Sequence, residues 1–389
     1  MIFPFGRGAL ASHCIGLLLM ATAAWAGECN CAGTNEHDDN KKQWSITLQF
    51  ESMNMGTLLQ GSQQVDPMQV VNQALKSPGT KSYSVPTNMI MQRSTFRARY
   101  RFDEDNALML SLPFSVSNQM EMLMGMNPMT NKAMPAAMPM VMPAMAMPMP
   151  AEGMAAAAMP MAMPMAGPTF SSMTMKPINQ MGDVSVLFQH RLLSDEDGNS
   201  LTVAGGIKFP SGDYQVRSAN GRLVHAMMQP GTGSLDFLAG ISGRISLGGG
   251  PDGQTWTLDP GVTYQLNGTN PLGYRFGNRF GYDLALNCRL DDSLVLTTAL
   301  NGIVTGFDSQ NGTLDPHTGT QAYQNPTTSL VDNVANTGGS MLYISPGFQW
   351  KISEDVTMRA HHRIPLIQRA NGTQIVTDGW TTINMSVAF

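Results

Sequence analysis

From Trp44 onward, apolar Trp44, Ile46, Leu48 and Phe50 interleave with polar Ser45, Thr47, Gln49 and Glu51. A period of two places the two sets on opposite faces of a β-strand, one face in an apolar medium and the other against something polar. A second such segment spans 92–102, where Phe96, Ala98, Tyr100 and Phe102 alternate with Arg93, Thr95, Arg97, Arg99 and Arg101. Four of those arginines share one face. A third carries Leu108, Leu110, Leu112, Phe114 and Val116, and the pattern returns over 184–188, 201–209, 235–245, 256–266, 280–290, 294–300, 342–350, 356–364 and 383–389. Twelve strands are predicted.

The connections keep phase with the strands. Short ones at 103–106, 194–199, 246–254, 291–293 and 353–355 alternate with long ones at 53–91, 117–181, 211–233, 267–278, 305–339 and 367–379. Both chain ends then lie on the short-turn side. That is the layout of an all-β, 12-stranded antiparallel transmembrane β-barrel of the bacterial outer membrane, with short periplasmic turns and long extracellular loops. A soluble β-sandwich also hides one face of each strand, but it mixes its loop lengths and exposes charged faces. The terminal Phe389, with Val387 and Met385 alternating behind it, resembles the signal read by the barrel-assembly machinery. That machinery and outer-membrane lipid are the expected partners.

Composition agrees. Charged residues make up 13% of the 389-residue chain, against about 25% in an average soluble domain. A net charge of −5 leaves no basic excess for a phosphate backbone, so nucleic acid is not an expected partner. Past the N-terminus there is no apolar run long enough for a membrane helix. The N-terminus itself has Arg7, an apolar stretch from Ile15 to Ala24, and the small-x-small pattern of Ala24, Trp25 and Ala26. These features predict a signal peptide over 1–26, a periplasmic tail over 27–42 and a barrel over 43–389. The three cysteines then remaining, Cys29, Cys31 and Cys288, are too few for a disulfide scaffold.

The polar faces of the strands assign a lumen. Its bases are Arg93, Arg97, Arg99, Arg101, Arg191, Lys208, Arg244, Arg289, Lys351, Arg359 and Arg363; its acids are Glu51, Asp183, Asp236, Asp259 and Asp283. Such a surplus of cations either fills a small barrel with inward ion pairs or leaves a narrow pore whose field favours anions. Tyr100, Trp256, Tyr264, Tyr282, Trp350 and Trp380 lie towards strand ends, where two aromatic girdles belong. His361 is expected to face the lumen and His362 the lipid. Asp66-Pro67 ahead of MQVVNQALK reads as a capped helix in the first long loop, with Val70, Val71, Ala74 and Leu75 on one side, able to dip into the mouth as a constriction.

Four pieces carry a family resemblance: GDVSVLFQHRLLSDEDG from Gly182, GIKFPSGD from Gly206, QPGTGSLDFLAG from Gln229 and YRFGNRFGYDLAL from Tyr274. The stretch from about Gly182 to Gly306 resembles the outer-membrane proteins grouped under the MetA pathway of phenol degradation. The resemblance implies a barrel of transport type for aromatic or other small hydrophobic compounds. Its motifs are strand-and-turn patterns without catalytic groups.

The insertion over 117–181 departs from that family's pattern. Between Met120 and Met181 lie 20 of the 33 methionines, in a low-complexity run of Met, Pro and Ala. Its prolines exclude a regular helix or strand, so an extended or disordered extracellular loop is expected. Thioethers spaced i, i+2 fall on one side of an extended chain. Met138 pairs in this way with Met140, Met147 with Met149, Met159 with Met161 and Met163 with Met165, while Met142 and Met145 stand between the first two pairs. Thioether sulfur is a soft ligand suited to Cu(I) or Ag(I). A sticky loop over the mouth, a surface for hydrophobic molecules and a sink for oxidants are equally compatible with the composition. Cys29 and Cys31, followed by His37, form a second soft cluster. No nucleophile elbow, metalloprotease motif or phosphate loop is present, so catalysis is not expected. The sequence therefore predicts an outer-membrane channel for small solutes, hydrophobic, aromatic or anionic, with Cu(I) as a ligand of the methionine loop; the alternative is a copper-handling barrel.

Overall fold

A computed structural model describes residues 43–128, 167–219, 221–249, 254–320, 322–323 and 327–389. The expected signal peptide and the CxC tail with Cys29, Cys31 and His37 lie outside the described residues. So do all ten methionines assigned to a soft-metal site: Met138, Met140, Met142, Met145, Met147, Met149, Met159, Met161, Met163 and Met165.

Twelve strands form one wall: β1 (Trp44–Gln60), β2 (Ser82–Arg101), β3 (Asn106–Met126), β4 (Ser185–Ser194), β5 (Ser200–Lys208), β6 (Asp236–Gly249), β7 (Thr255–Leu266), β8 (Arg279–Arg289), β9 (Leu294–Thr305), β10 (Gly339–Lys351), β11 (Val356–Ala370) and β12 (Thr373–Ala388). Each pairs antiparallel with its neighbours in sequence. Strand β12 returns to β1 in a register running from Ser45 opposite Ala388 to Gln60 opposite Thr373. Closure leaves the wall no unpaired edge, which a bilayer demands because hydrocarbon offers backbone groups no partner.

The outer face carries an apolar band: Leu48, Phe237, Ile241, Trp350, Ile364 and Met385 are all exposed. An exposed apolar band of this extent is untenable in water and suits lipid. At the short-turn rim, the Trp44 and Tyr100 rings stand 4.8 Å apart and Tyr100 meets Phe102 edge-on at 5.1 Å, the start of an aromatic girdle. Trp380 departs from the girdle expected of it. It is only 6% exposed and points into the lumen, because β12 keeps Trp380, Thr382 and Asn384 on its inner face.

The short turns are built by their acids. Asp103 accepts from the backbone N–H groups of Asp105 (2.9 Å) and Asn106 (2.8 Å), and Asp291 does the same for Ser293 and Leu294. These are side-chain turns that mimic a backbone turn.

At the other end the strands outrun their predicted limits. β1 continues to Gln60, β2 starts at Ser82 and β3 reaches Met126, so the first connection is 61–81 rather than 53–91, and 117–126 is wall rather than loop. The expected long connection at 367–379 is a hairpin turning at Asn371 and Gly372. Gly372 has φ +69°, and a Cβ there would stand 2.6 Å from the Ala335 carbonyl.

In β3 the ladder against β2 slips past Phe114, with Ser115 opposite Ser94 and Pro113 opposite Thr95. The bulge switches the inward positions from Met109 and Ser111 to Val116, Asn118, Met120 and Met122. It also gives Pro113, which has no N–H, a place in the wall.

Candidate functional site

The barrel interior has three zones. The lowest is a ladder of charged and amide side chains. On β2 the inward row is Arg93, Thr95, Arg97, Arg99 and Arg101, and Arg99 donates to Gln189 Oε1 at 3.2 Å. Glu51 stands opposite Arg93 in register and is the electrostatic neighbour of Arg97 and Arg363. The Arg363 guanidinium lies 4.1 Å over the Trp380 ring, a cation–π contact within a desolvated wall. Arg244 grips Asp259 with two bonds of 3.1 Å, and Asn287 completes that carboxylate at 2.9 Å. Asp283 accepts from Asn301, which in turn accepts from Ser345, and Arg359 donates to Gln349 at 2.8 Å. Forked, charge-assisted bonds of this kind orient their partners, though burying the charges offsets most of the Coulomb gain. Arg191, Arg289 and Lys351 complete the inward row near the short turns. Against the polar wall of β7–β12 lies a cavity of ≈ 130 Å³ touching Asp259, Asp283, His361, Arg363 and Asn384. His361 therefore faces the lumen; His362 faces outward, its Nδ1 2.8 Å from Thr381 Oγ1.

The middle zone is a clamp. Lys208 Nζ stands 2.6 Å from Asp236 and 3.2 Å from Asp183. Asp183 also accepts from the Gly212 and Thr232 backbone at 3.0 and 2.8 Å, and Asp236 from Ser234 Oγ and the Gly268 backbone at 2.7 and 2.9 Å. Two carboxylates thereby tie the 209–235 and 267–278 connections to the wall. A Cβ on Gly212 would lie 2.8 Å from Gly231 Cα, so only glycine permits the approach. Three of the four sequence pieces that carried the family resemblance meet here: Gly182 and Asp183, Lys208 and Gly212, then Gly231, Thr232, Ser234 and Asp236. They are loop anchors.

The upper zone is an apolar plug. Helix α1 (Pro67–Leu75), capped by Asp66 accepting from Met68 N, turns Val71 and Leu75 into the barrel. They bury against Leu58, Val85, Met89, Met120, Met122 and Ile375 of the wall, together with Val224, Met228 and Leu330 from two other connections. Val70 and Ala74 pack beside them, so the expected constriction and its apolar face are both present. Asn118 Nδ2 donates to the Met228 carbonyl at 3.2 Å, and Ser84 N to that of Thr328 at 2.9 Å, seating the connections on the inner wall.

Above the plug the connections are tied to one another. Arg217 forks onto Asp315 at 2.8 and 2.7 Å, and His225 Nδ1 lies 2.5 Å from Asp332. The Arg217 hydrogen bonds hold the Asp315 carboxyl well below the usual carboxylate range, helped by the His317 N–H and Thr318 hydroxyl. Burial, reinforced by Asp308, keeps the Tyr274 phenol protonated, so it donates to Asp308 at 2.5 Å.

Two inward groups escaped the sequence reading. Arg279 shares the inner face of β8 with Asp283 and Asn287; the alternation starting at Phe280 was signal enough to find it. The methionines of the plug, Met89, Met91, Met120 and Met122, lie inward where the lower strands carry charge, and read as loop. Among the described residues no group of His, Cys, Asp and Glu is placed to hold a metal ion.

No family model and no curated protein matches the chain. Among solved structures it is similar to the COG4313 outer membrane channel from Pseudomonas putida F1, at 10% identity over 90% of this chain and 96% of that one, with a TM-score of 0.50. The fold is that of an outer-membrane barrel. More distant similarities reach a Pseudomonas aeruginosa FadL homologue (7% identity, 90% and 91% coverage, TM-score 0.35) and the translocator domain of the autotransporter NalP from Neisseria meningitidis (10%, 98% and 97%, 0.35). Scores at that level set no common strand arrangement. The barrel lies in the outer membrane of a Gram-negative bacterium, as its closed wall and apolar exterior require.

Proposed function

We propose that this barrel is a channel for small solutes, with the long connections outside the cell and the short turns in the periplasm. The carrying observation is the division of the interior: a polar, cavity-bearing lumen formed by the strands, closed above by an apolar plug formed by the connections. A barrel that served only as an anchor would gain nothing from a lumen kept wet below a removable closure. One fold neighbour is an outer membrane channel, and the resemblance to the MetA-pathway barrels points the same way. The solute passes from an apolar, methionine-lined entrance into a cationic lumen, so small molecules with hydrophobic surface suit the first zone and anionic character suits the second. Purified protein in planar bilayers is expected to give discrete conductance steps, altered in size or selectivity by Arg97→Ala with Arg99→Ala. A folded, heat-modifiable barrel that leaves the membrane silent would overturn the channel reading.

A further inference from the structure

The cavity of ≈ 130 Å³ in the lower lumen has a wall whose hydrogen-bond chains run one way. Thr297 Oγ1 on β9 donates to Asn287 Oδ1 at 2.8 Å, and Asn287 Nδ2 donates to Asp259 at 2.9 Å. Asp259 is itself held in the fork of Arg244, so the chain ends on an anchored carboxylate, which only accepts. A second chain runs from Ser345 Oγ on β10 to Asn301 Oδ1, and from Asn301 Nδ2 to Asp283. The carboxylates fix how both amides stand, and the amides in turn claim both hydroxyl protons. What Thr297 and Ser345 have left for the cavity they line is lone pairs. Asn384 on β12 adds a third oxygen. Its side chain lines the same cavity and is 6% exposed, and its Oδ1 has no hydrogen-bond partner among the described residues. Thr382, opposite the cavity-lining His361 in register, carries a further unpartnered hydroxyl.

Buried polar atoms are as a rule paired, so acceptors gathered around an open volume call for a donor as its occupant. The rest of the lining sets the charge of that occupant. Arg359 and Arg363 on β11 disfavour a cation, and a wall of acceptor oxygens disfavours an anion. Ala285 and Ala299, opposite one another in register between the two chains, supply a small apolar floor. The volume approaches the roughly 150 Å³ in which a benzene fits. We propose that this cavity is a subsite for a small neutral polyol of the size of glycerol, its hydroxyl protons on Thr297, Ser345 and Asn384 and its carbons over Ala285 and Ala299. The assignment rests on the channel reading and deepens it, because it gives the lower lumen a means of selecting hydroxyl groups beside its charge.

The test compares glycerol with 1,2-dimethoxyethane, which has as many non-hydrogen atoms and accepts hydrogen bonds but donates none. Saturation-transfer NMR on the full, detergent-solubilised barrel is expected to show glycerol bound and the ether at background. In planar bilayers glycerol is expected to reduce the KCl current saturably, beyond the loss of bulk conductivity it causes, whereas the ether causes the bulk loss alone. Thr297→Val, nearly isosteric, is expected to weaken the apparent affinity for glycerol about fivefold, the worth of one hydrogen bond, and Thr297→Ser to restore it. Should Thr297→Val not fold, Asn384→Leu is expected to give the same loss, since that oxygen has no protein partner to forfeit. Conduction with equal responses to glycerol and the ether, or with glycerol affinity unchanged in the variants, would end the subsite and keep the channel. A silent membrane with glycerol transfer present in the wild type and weakened in Thr297→Val would end the channel reading and keep the subsite.

Discussion

If α1 is the closure, loosening it should open the barrel without unfolding it. Val71 is fully buried and Leu75 is 5% exposed; at about 1.5–3 kcal/mol for each buried side chain, docking draws about 3–6 kcal/mol from these two residues. A helix of 9 residues is marginal in water by itself, so the docked face is what keeps it formed. Leu75→Ala removes about 2–3 kcal/mol, the low end for such truncations because a mouth relaxes more readily than a closed core. At 1.4 kcal/mol per decade, the undocked population then rises roughly 30- to 150-fold. Gly125→Ala attacks from the wall: a Cβ there would lie 2.9 Å from Leu75 Cδ1 and closer still to Val71. Both variants should retain the folded, heat-modifiable gel band, because the strand ladder that closes the wall does not include α1. Single-channel open probability in planar bilayers should rise in both, and amide exchange over 67–75 should accelerate. If both show wild-type open probability and wild-type protection, α1 is not the closure and the reasoning fails.

Lys208→Met leaves Asp183 and Asp236 buried side by side without their cation, and should cost about 3–5 kcal/mol, read as a lower temperature for loss of the heat-modifiable band. A variant as stable as wild type would show that the clamp is not held by charge. The Asp315 carboxyl, depressed below its unfolded value by Arg217, contributes stability that is fully present above the ordinary carboxylate range and is lost only as pH falls through its lower folded value. Protease sensitivity of the 209–235 and 306–338 connections should therefore not rise from pH 8 to pH 5, where protonation of His225 can only strengthen its tie to Asp332, and Asp315→Asn should raise it throughout that range; a rise in the wild type already at pH 5 would refute the assignment.

The barrel was legible wherever its outer face is apolar and its inner face polar. Lipid outside and charge inside give β1 its alternation up to Glu51 and β2 its arginine row. Nearer the mouth the same strands continue, but their inner positions become Leu58, Val85, Met89, Met120 and Met122 to meet the plug. On the outer face of these stretches Asn54, Gln119 and Glu121 are polar and exposed, so the contrast is reversed, apolar inside and polar outside, and 53–60, 82–91 and 117–126 read as connection. The bulge at Phe114 adds a second loss, because a parity rule carried through β3 puts the wrong residues inside. Trp380 was misplaced for a related reason: an aromatic near a strand end fits a girdle by composition, and only the register that brings Arg363 over its ring decides otherwise. Asp183, Lys208 and Asp236 are legible as inward charges, but their joint role as loop anchors with Gly212 and Gly231 is not, since the five are assembled from three separate stretches of sequence.

That division bears on where control of such a channel can reside. The ion pairs of the lower lumen hang on strands whose backbone bonds close the wall, so moving Arg244 away from Asp259 by any backbone change would break the barrel itself. The plug hangs on connections and is held by burial of apolar surface, a force that acts inside a wet lumen and has no counterpart on the lipid face, where hydrocarbon already surrounds every side chain. Closure can therefore be gained and lost in steps of a few kcal/mol at α1 and at the ties Arg217–Asp315 and His225–Asp332, while the charge pattern below stays fixed. On the proposed channel reading, opening belongs to the connections and selectivity to the strands, and variants of the two sets should act independently on open probability and on ion preference.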